Sequence, residues 1–204
     1  MAGGALNKKV GSVLGSCAGT DASDGSYVCG GMGSGVGNQI MLKQWLGEED
    51  FTVSVELLLE EVNGTAASIV FLSADGAENH VGLDGGPHAL HGHGDSMFLS
   101  GPHPGWSGGK PTPAPKAGQW HNLTLSRVKQ VLQITVDGHD AFTAPMAFAV
   151  QGVALRPWRS TMHARSFAAC APQLPAPGAP PPPPITVTVF TPGESGVSSL
   201  PQSA

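Results

Sequence analysis

The 204 residues carry 40% hydrophobic and only 12% charged side chains with a formal net charge of −5, which leaves room for one ordinary domain plus tails and describes a globular body. The ten Lys and Arg are scattered without a basic stripe, so nucleic acid is excluded as a partner. No apolar run approaches the roughly 20 residues that cross a bilayer, and no membrane partner is expected.

The chain opens MAGGALNKKVGSVLGSCAG, whose lysines precede only a short, Gly/Ser-diluted apolar stretch. It makes no convincing signal peptide, so secreted and cytoplasmic locations both stay open. Residues 1–34 read as a flexible segment. Cys17, Cys29 and Cys170 form neither a disulfide framework nor a zinc spacing. A Cys17–Cys29 bridge would suit a secreted protein, and free thiols are the alternative. The triplets Asn63-Gly64-Thr65 and Asn122-Leu123-Thr124 would accept glycans only in that same setting. Tyr27, the single tyrosine, lies where no strand is evident, and pairing it with Asp21 or Asp24 makes no chemistry. The glycines of Gly30 to Gly37 are followed by a strand and not by the helix that a phosphate loop requires.

From Gly35 to Cys170 the pattern is all-β: short alternating runs are broken by Gly, Pro, Asn and Asp, and no long segment holds a 3.6-residue period. Ile40 to Leu42 is the first strand. In Phe51 to Leu57 the odd positions are apolar and the even ones polar, which puts one face in a core and one in water. Leucines among glutamates at Glu56 to Glu61 would favour a helix by propensity, but the upstream alternation and the stop at Asn63-Gly64 favour a strand. Further strands fall at Ala66 to Leu72, Gln119 to Arg127, Val131 to Val136, Ala141 to Thr143 and Met162 to Phe167. Those at 119–127 and 131–136 form a hairpin, and Asp137-Gly138 supplies the positive-φ turn into the next strand. Eight to ten strands suffice for two packed sheets.

The segment Gly82 to Gly109 reads as an irregular loop. His88, His91 and His93 are its weak candidates for zinc or copper, because nothing on a Gly/Pro loop fixes their direction, and an exposed polar loop is the alternative. No metal or other cofactor is expected. Calcium would suit oxygen ligands such as Asp84 and Asp95, yet no spacing indicates it. A sugar site combines an aromatic face with planar polar groups, which singles out Trp106, His103, Asp84 and Asp95. The alternative is that Trp106 only pins the loop to the sandwich. Trp120, Trp158 and Phe167 read as core, and the arginines of Arg156-Pro157-Trp158-Arg159 as satisfying strand ends or stacking on the indole. Residues 171–184, APQLPAPGAPPPPP, form an extended, semi-rigid linker or a proline-rich ligand.

Three stretches resemble the concanavalin A-like, laminin-G-like lectin domains that precede the propeller in sialidase-like (exo-alpha-sialidase) proteins. They are Gly37 to Leu46 with Asp50 to Val53; Gly118 to Thr124 with Val136-Asp137-Gly138; and Leu155 to Met162. The resemblance implies an antiparallel two-sheet jelly-roll sandwich, with a glycan or an adjacent catalytic propeller as partner. Ile185 to Gly196 looks like the opening strand of such a propeller, so that residues 185–204 are expected to be its truncated start. Where the family continues with a Tyr-Arg-Ile-Pro segment this chain has Val197 to Pro201, and the carboxylate-binding arginine is absent.

A glycosidase also needs two positioned carboxyl groups, or a tyrosine and a carboxyl, beside a bound sugar. No catalytic residue is identified. The chain as given is therefore expected to be a noncatalytic, lectin-like module of a sialidase-like protein. Two other readings stand beside it: a structural or protein-interaction sandwich without sugar affinity, and a fragment of a sialidase whose catalytic domain is missing.

Overall fold

Alternation at 51–59 produces the strand it implies: Phe51, Val53, Val55, Leu57 and Leu59 are each 3% exposed or less, while the intervening side chains are half-buried or exposed. Each such apolar side chain contributes about 1.5–3 kcal/mol by leaving water. The Leu-rich run at 56–59 is strand, because its apolar period matches a sheet facing a core.

The computed structural model describes residues 11–14, 19–20, 26–30, 39–42, 46–85, 96–110, 112, 115–170 and 188–190. Fifteen strands are found there: β1 Gly11–Leu14, β2 Gly19–Thr20, β3 Tyr27–Cys29, β4 Gln39–Leu42, β5 Phe51–Leu59, β6 Gly64–Ser73, β7 Glu78–Gly85 and β8 Ser96–Ser100. β9 Ser107–Lys110, β10 Trp120–Val128, β11 Val131–Val136, β12 His139–Pro145, β13 Val150–Pro157, β14 Met162–Cys170 and β15 Thr188–Phe190 complete the set. Among the described residues there is no helix.

The strands form two antiparallel sheets. One has seven strands in the order β1-β4-β13-β6-β7-β8-β9; the other has eight, ordered β12-β11-β10-β5-β14-β3-β2 with β15 beside β14. Their inner faces share one apolar core that includes Ile40, Leu42, Ile69, Phe71, Val81, Leu83, Leu123, Leu125, Leu155 and Phe167. This is the jelly-roll sandwich.

Turn chemistry fixes the hairpins. Asp137 and Gly138 carry φ of 52° and 78° between β11 and β12, as expected for a primed turn, and Lys129 and Gln130 do the same at 49° and 65° between β10 and β11 without any glycine. The Asp137 carboxylate accepts the Asn122 amide at 2.8 Å and pairs with His121 at 2.7 Å. Those contacts, the His121 bond first, hold its acid below the usual carboxylate range.

Four expectations need correction. Tyr27 is not unsupported: β3 pairs with β14, and Tyr27 and Cys29 are fully buried in the core. The sheets thus reach past both Gly35 and Cys170, since β15 pairs Phe190 with Phe167. The segment 82–109 is not wholly loop, because β7 runs to Gly85 and β8 and β9 continue the seven-stranded sheet. Trp120 and Trp158 are half-buried and belong to outward faces; only Phe167 of that trio is core. Cys29 is disulfide-bonded and Cys170 is a free thiol. Cys17 and the proline-rich run 171–184 lie outside the described residues.

Candidate functional site

Residues of a strand alternate between faces, so the outward positions of the seven-stranded sheet follow from those that enter the core. Val153 and Leu155 are core, which turns Ala154 and Arg156 outward; Ile69 and Phe71 turn out Ser68 and Val70; Val81 and Leu83 turn out His80, Gly82 and Asp84. The register aligns Arg156 with Ser68 and Ala154 with Val70, then Ser68 with Gly82 and Val70 with His80.

This outward face holds a polar cluster. Arg156 donates through both terminal nitrogens to Glu78, at 2.7 and 2.6 Å, and to Gln39 Oε1 at 3.3 Å. The pair bridges β6, whose outward Val70 is fully buried. Arg156 is 1% exposed, and its buried Nε has no hydrogen-bond partner. Trp158, just beyond the end of β13, donates its indole N–H to Ser68 Oγ at 2.9 Å. Its ring lies 5.3 Å from the Arg156 guanidinium carbon and 5.8 Å from the His80 ring.

The network assigns the imidazole tautomer. Ser68 Oγ accepts from Trp158, and its proton points to His80 Nδ1 at 3.2 Å, which leaves the ring proton on Nε2, 3.5 Å from Glu78 Oε2. Burial, then the Arg156 charge, push His80 down from 6.5 to about 4, against the pull of Glu78. The Glu78 acid is held below its usual range, first by the hydrogen bond from Arg156. At neutral pH the cluster is therefore one guanidinium, one carboxylate and a neutral imidazole.

Close packing continues along the face. A Cβ built on Gly82 would stand 1.9 Å from Phe98 Cζ, so the Phe98 ring lies directly over a backbone that only glycine allows.

The opposite outward face, on the eight-stranded sheet, has a second indole. There Arg165 sits 4.1 Å from the Trp120 ring and bonds Glu56, with His163 bonded to Glu60 at 3.0 Å. Arg165 stands opposite Glu56 in the register, and in the bulge that follows, between Arg165 and Ala168, Ser166 at φ 53° also donates to Glu56, at 3.4 Å. The stacked guanidinium already covers a face of Trp120.

Of the residues chosen from sequence as a sugar site, the described ones, Trp106, His103 and Asp84, do not come together as an open site. Trp106 is fully buried, packed edge-on against Phe71 and Phe148, and its Nε1 donates to Pro145 O at 2.6 Å. It pins the segment to the core and offers no free face. The adjacent Gly105, at φ +80°, lies so close to Pro145 that a Cβ would stand 2.3 Å from its Cγ. His103 bonds Asn79 Oδ1 at 2.9 Å and stacks on Phe148 at 4.1 Å. Asp84, fully buried, lies five residues along β7 from Asn79, about 17 Å at the rise of a strand. Asp95, His88, His91 and His93 lie outside the described residues. Among the described residues no three His, Cys, Asp or Glu side chains gather as a metal would require.

Glu78 and His80 gave no signal in the sequence, because they meet Arg156 only across the sheet, 78 positions away for Glu78. Arg156 and Trp158 stood in the resembling stretch, and the stacking of guanidinium and indole is the arrangement expected for them.

Comparison with family models and with curated proteins finds no match. Solved structures do match. A tetrameric galectin from Cinachyrella sp. (ball sponge) aligns with a TM-score of 0.51 at 11% identity, over 64% of this chain and 98% of the galectin. An alginate lyase from Alteromonas sp. 272 aligns at 0.51 and 10% identity, over 76% and 92%. The alginate lyase A1-II' gives 0.52 and 11%, over 75% and 82%. The likeness is one of fold. At these identities a two-sheet β-sandwich is found in a galectin and in alginate lyases alike, so the function has to be argued from the side chains of this chain.

Proposed function

We propose that this chain is a noncatalytic, glycan-binding module, and that the outward face of its seven-stranded sheet holds the sugar. One observation carries the reading: a half-buried indole, Trp158, is fixed by Ser68 beside a charge-assisted row of Glu78, Arg156 and His80. An aromatic ring takes the apolar side of a pyranose, and planar charged groups held rigid by one another bond its hydroxyls without reorganising. The cluster lacks what hydrolysis demands. Its half-buried carboxylate, Glu78, is held ionised by Arg156, whereas a general acid needs a raised pKa.

The finer setting, a module in front of a sialidase propeller, is supported by the resemblance of the stretches at 37–53, 118–138 and 155–162. In that setting the sandwich holds glycan or docks against the propeller. The test is a glycan array probed with the full chain: binding to at least one glycan class is expected, and silence across the array would remove the sugar-holding role and leave a structural sandwich. A fluorogenic sialoside should show no turnover above a blank.

A further inference from the structure

The cluster on the seven-stranded sheet has a charge balance that selects among sugars. Recognition of a carboxylate-bearing sugar, a sialoside or a uronate, calls for a cation with an open pair of donors. Arg156 is the guanidinium on this face, and both of its terminal nitrogens are already engaged by Glu78 and Gln39. Its remaining nitrogen, Nε, is buried, out of reach of a ligand. The other outward charges on β6, β7, β8 and β13, among the described residues, are the carboxylates Glu78 and Asp84. Arg159 is exposed on the turn that follows Trp158. Glu78 keeps its carboxylate a third exposed, at 32% of its side chain, so the charge that the strands themselves present to solvent is negative, and Arg159 on the turn is the exposed cation at the edge of this face.

Resting on the glycan-binding reading, we propose that this face is selective for neutral saccharides: Glu78, held by Arg156, accepts sugar hydroxyls, Trp158 takes the apolar side of the ring, and acidic sugars are turned away. The internal ion pair thus acts as a specificity device, in which the arginine orients a carboxylate and is itself withheld from the ligand. His80 adds no positive charge at neutral pH, since burial and Arg156 keep it unprotonated.

The experiment is a titration of the full chain with matched neutral and acidic oligosaccharides, such as a galactoside and its sialylated form, or a mannan and an alginate fragment. Neutral members should bind, with an affinity nearly independent of salt, and acidic members should bind at least about tenfold more weakly. Glu78→Gln frees the guanidinium and removes the strongest acceptor. It should weaken the neutral sugar about tenfold and raise the acidic-to-neutral ratio by a similar factor, with folding checked by circular dichroism. Arg159→Gln, which removes the exposed cation next to Trp158, should leave neutral binding unchanged and weaken the acidic members further. Preferential binding of the acidic members by the wild type would overturn the selectivity and leave the glycan-binding reading standing. Binding of neither class would defeat that reading itself, and the inference with it. Should Glu78→Gln fail to fold, the wild-type comparison and its salt dependence still decide.

Discussion

Arg156 grips Glu78 through both terminal nitrogens, at 2.7 and 2.6 Å, on an outward sheet face where the guanidinium is nonetheless 1% exposed. A buried arginine stripped of its partner is costly, because the charge keeps its desolvation penalty and loses its compensation. Glu78→Leu should therefore destabilise the fold by about 2 kcal/mol, less than a fully buried pair would because Glu78 is partly solvated. Paired with Arg156→Met it should recover most of that loss. Urea titrations of the two single variants and the double variant measure it.

Acid should weaken the fold through His80. Its folded pKa, about 4, lies below its ordinary 6.5, so the unfolded chain binds more protons between those values and stability falls as pH drops through that window. The difference corresponds to about 3 kcal/mol, fully present above pH 6.5 and lost by about pH 4. Glu78 acts in the same direction at lower pH, since its own acid is depressed and its contribution disappears as it protonates. In His80→Gln the urea midpoint should be flatter between pH 6.5 and 4 than in the wild type; an unchanged slope would show that His80 does not titrate there.

Trp106 should matter for folding and not for sugar. With its indole fully buried between Phe71 and Phe148 and its N–H on Pro145 O, Trp106→Ala opens a cavity and orphans a carbonyl. A loss of about 4 kcal/mol is expected. Trp106→Phe, which keeps most of the volume, should fold and retain glycan affinity.

Gly82 and Phe98 should be strongly coupled. Gly82→Ala puts a methyl group where the Phe98 ring now lies, 1.9 Å from its Cζ, at a cost of about 2 kcal/mol. Removing the ring with Phe98→Ala should relieve that clash, so the double variant should be more stable than the sum of the singles predicts. Strict additivity in thermal unfolding would contradict the packing.

The parts of this fold that were legible in the sequence are those where one face is wet. β5 alternates because its outward Thr52, Ser54 and Glu56 meet solvent while Phe51, Val53 and Val55 do not. Asp137-Gly138 announced its turn for the same kind of local reason. β7 and β13 were not legible, since most of their outward positions are buried along with the inward ones and the polar half of the alternation is replaced in part by Gly82, Gly152 and Ala154. β3 has three residues among glycines and serines, too few to show a period. The candidate site was half legible. Arg156 and Trp158 stood two positions apart in a recognisable stretch, but their partners Glu78, His80 and Ser68 come from β6 and β7, and the pairing exists only through the register of the sheet. Trp106 misled as a sugar platform because burial, which type and spacing do not reveal, had already committed it to the core.

The most direct measurement is isothermal titration of a glycan hit from the array against two tryptophan variants, one on each outward face. Trp158 lies beside Arg156, which holds Glu78, on the seven-stranded sheet, and Trp120 lies under Arg165 on the other. Trp158→Ala should lower affinity at least about tenfold, as expected when an aromatic platform is removed, and Trp120→Ala should leave it within about twofold. Loss of binding in Trp120→Ala with full affinity in Trp158→Ala would place the sugar on the wrong sheet for this account and contradict it.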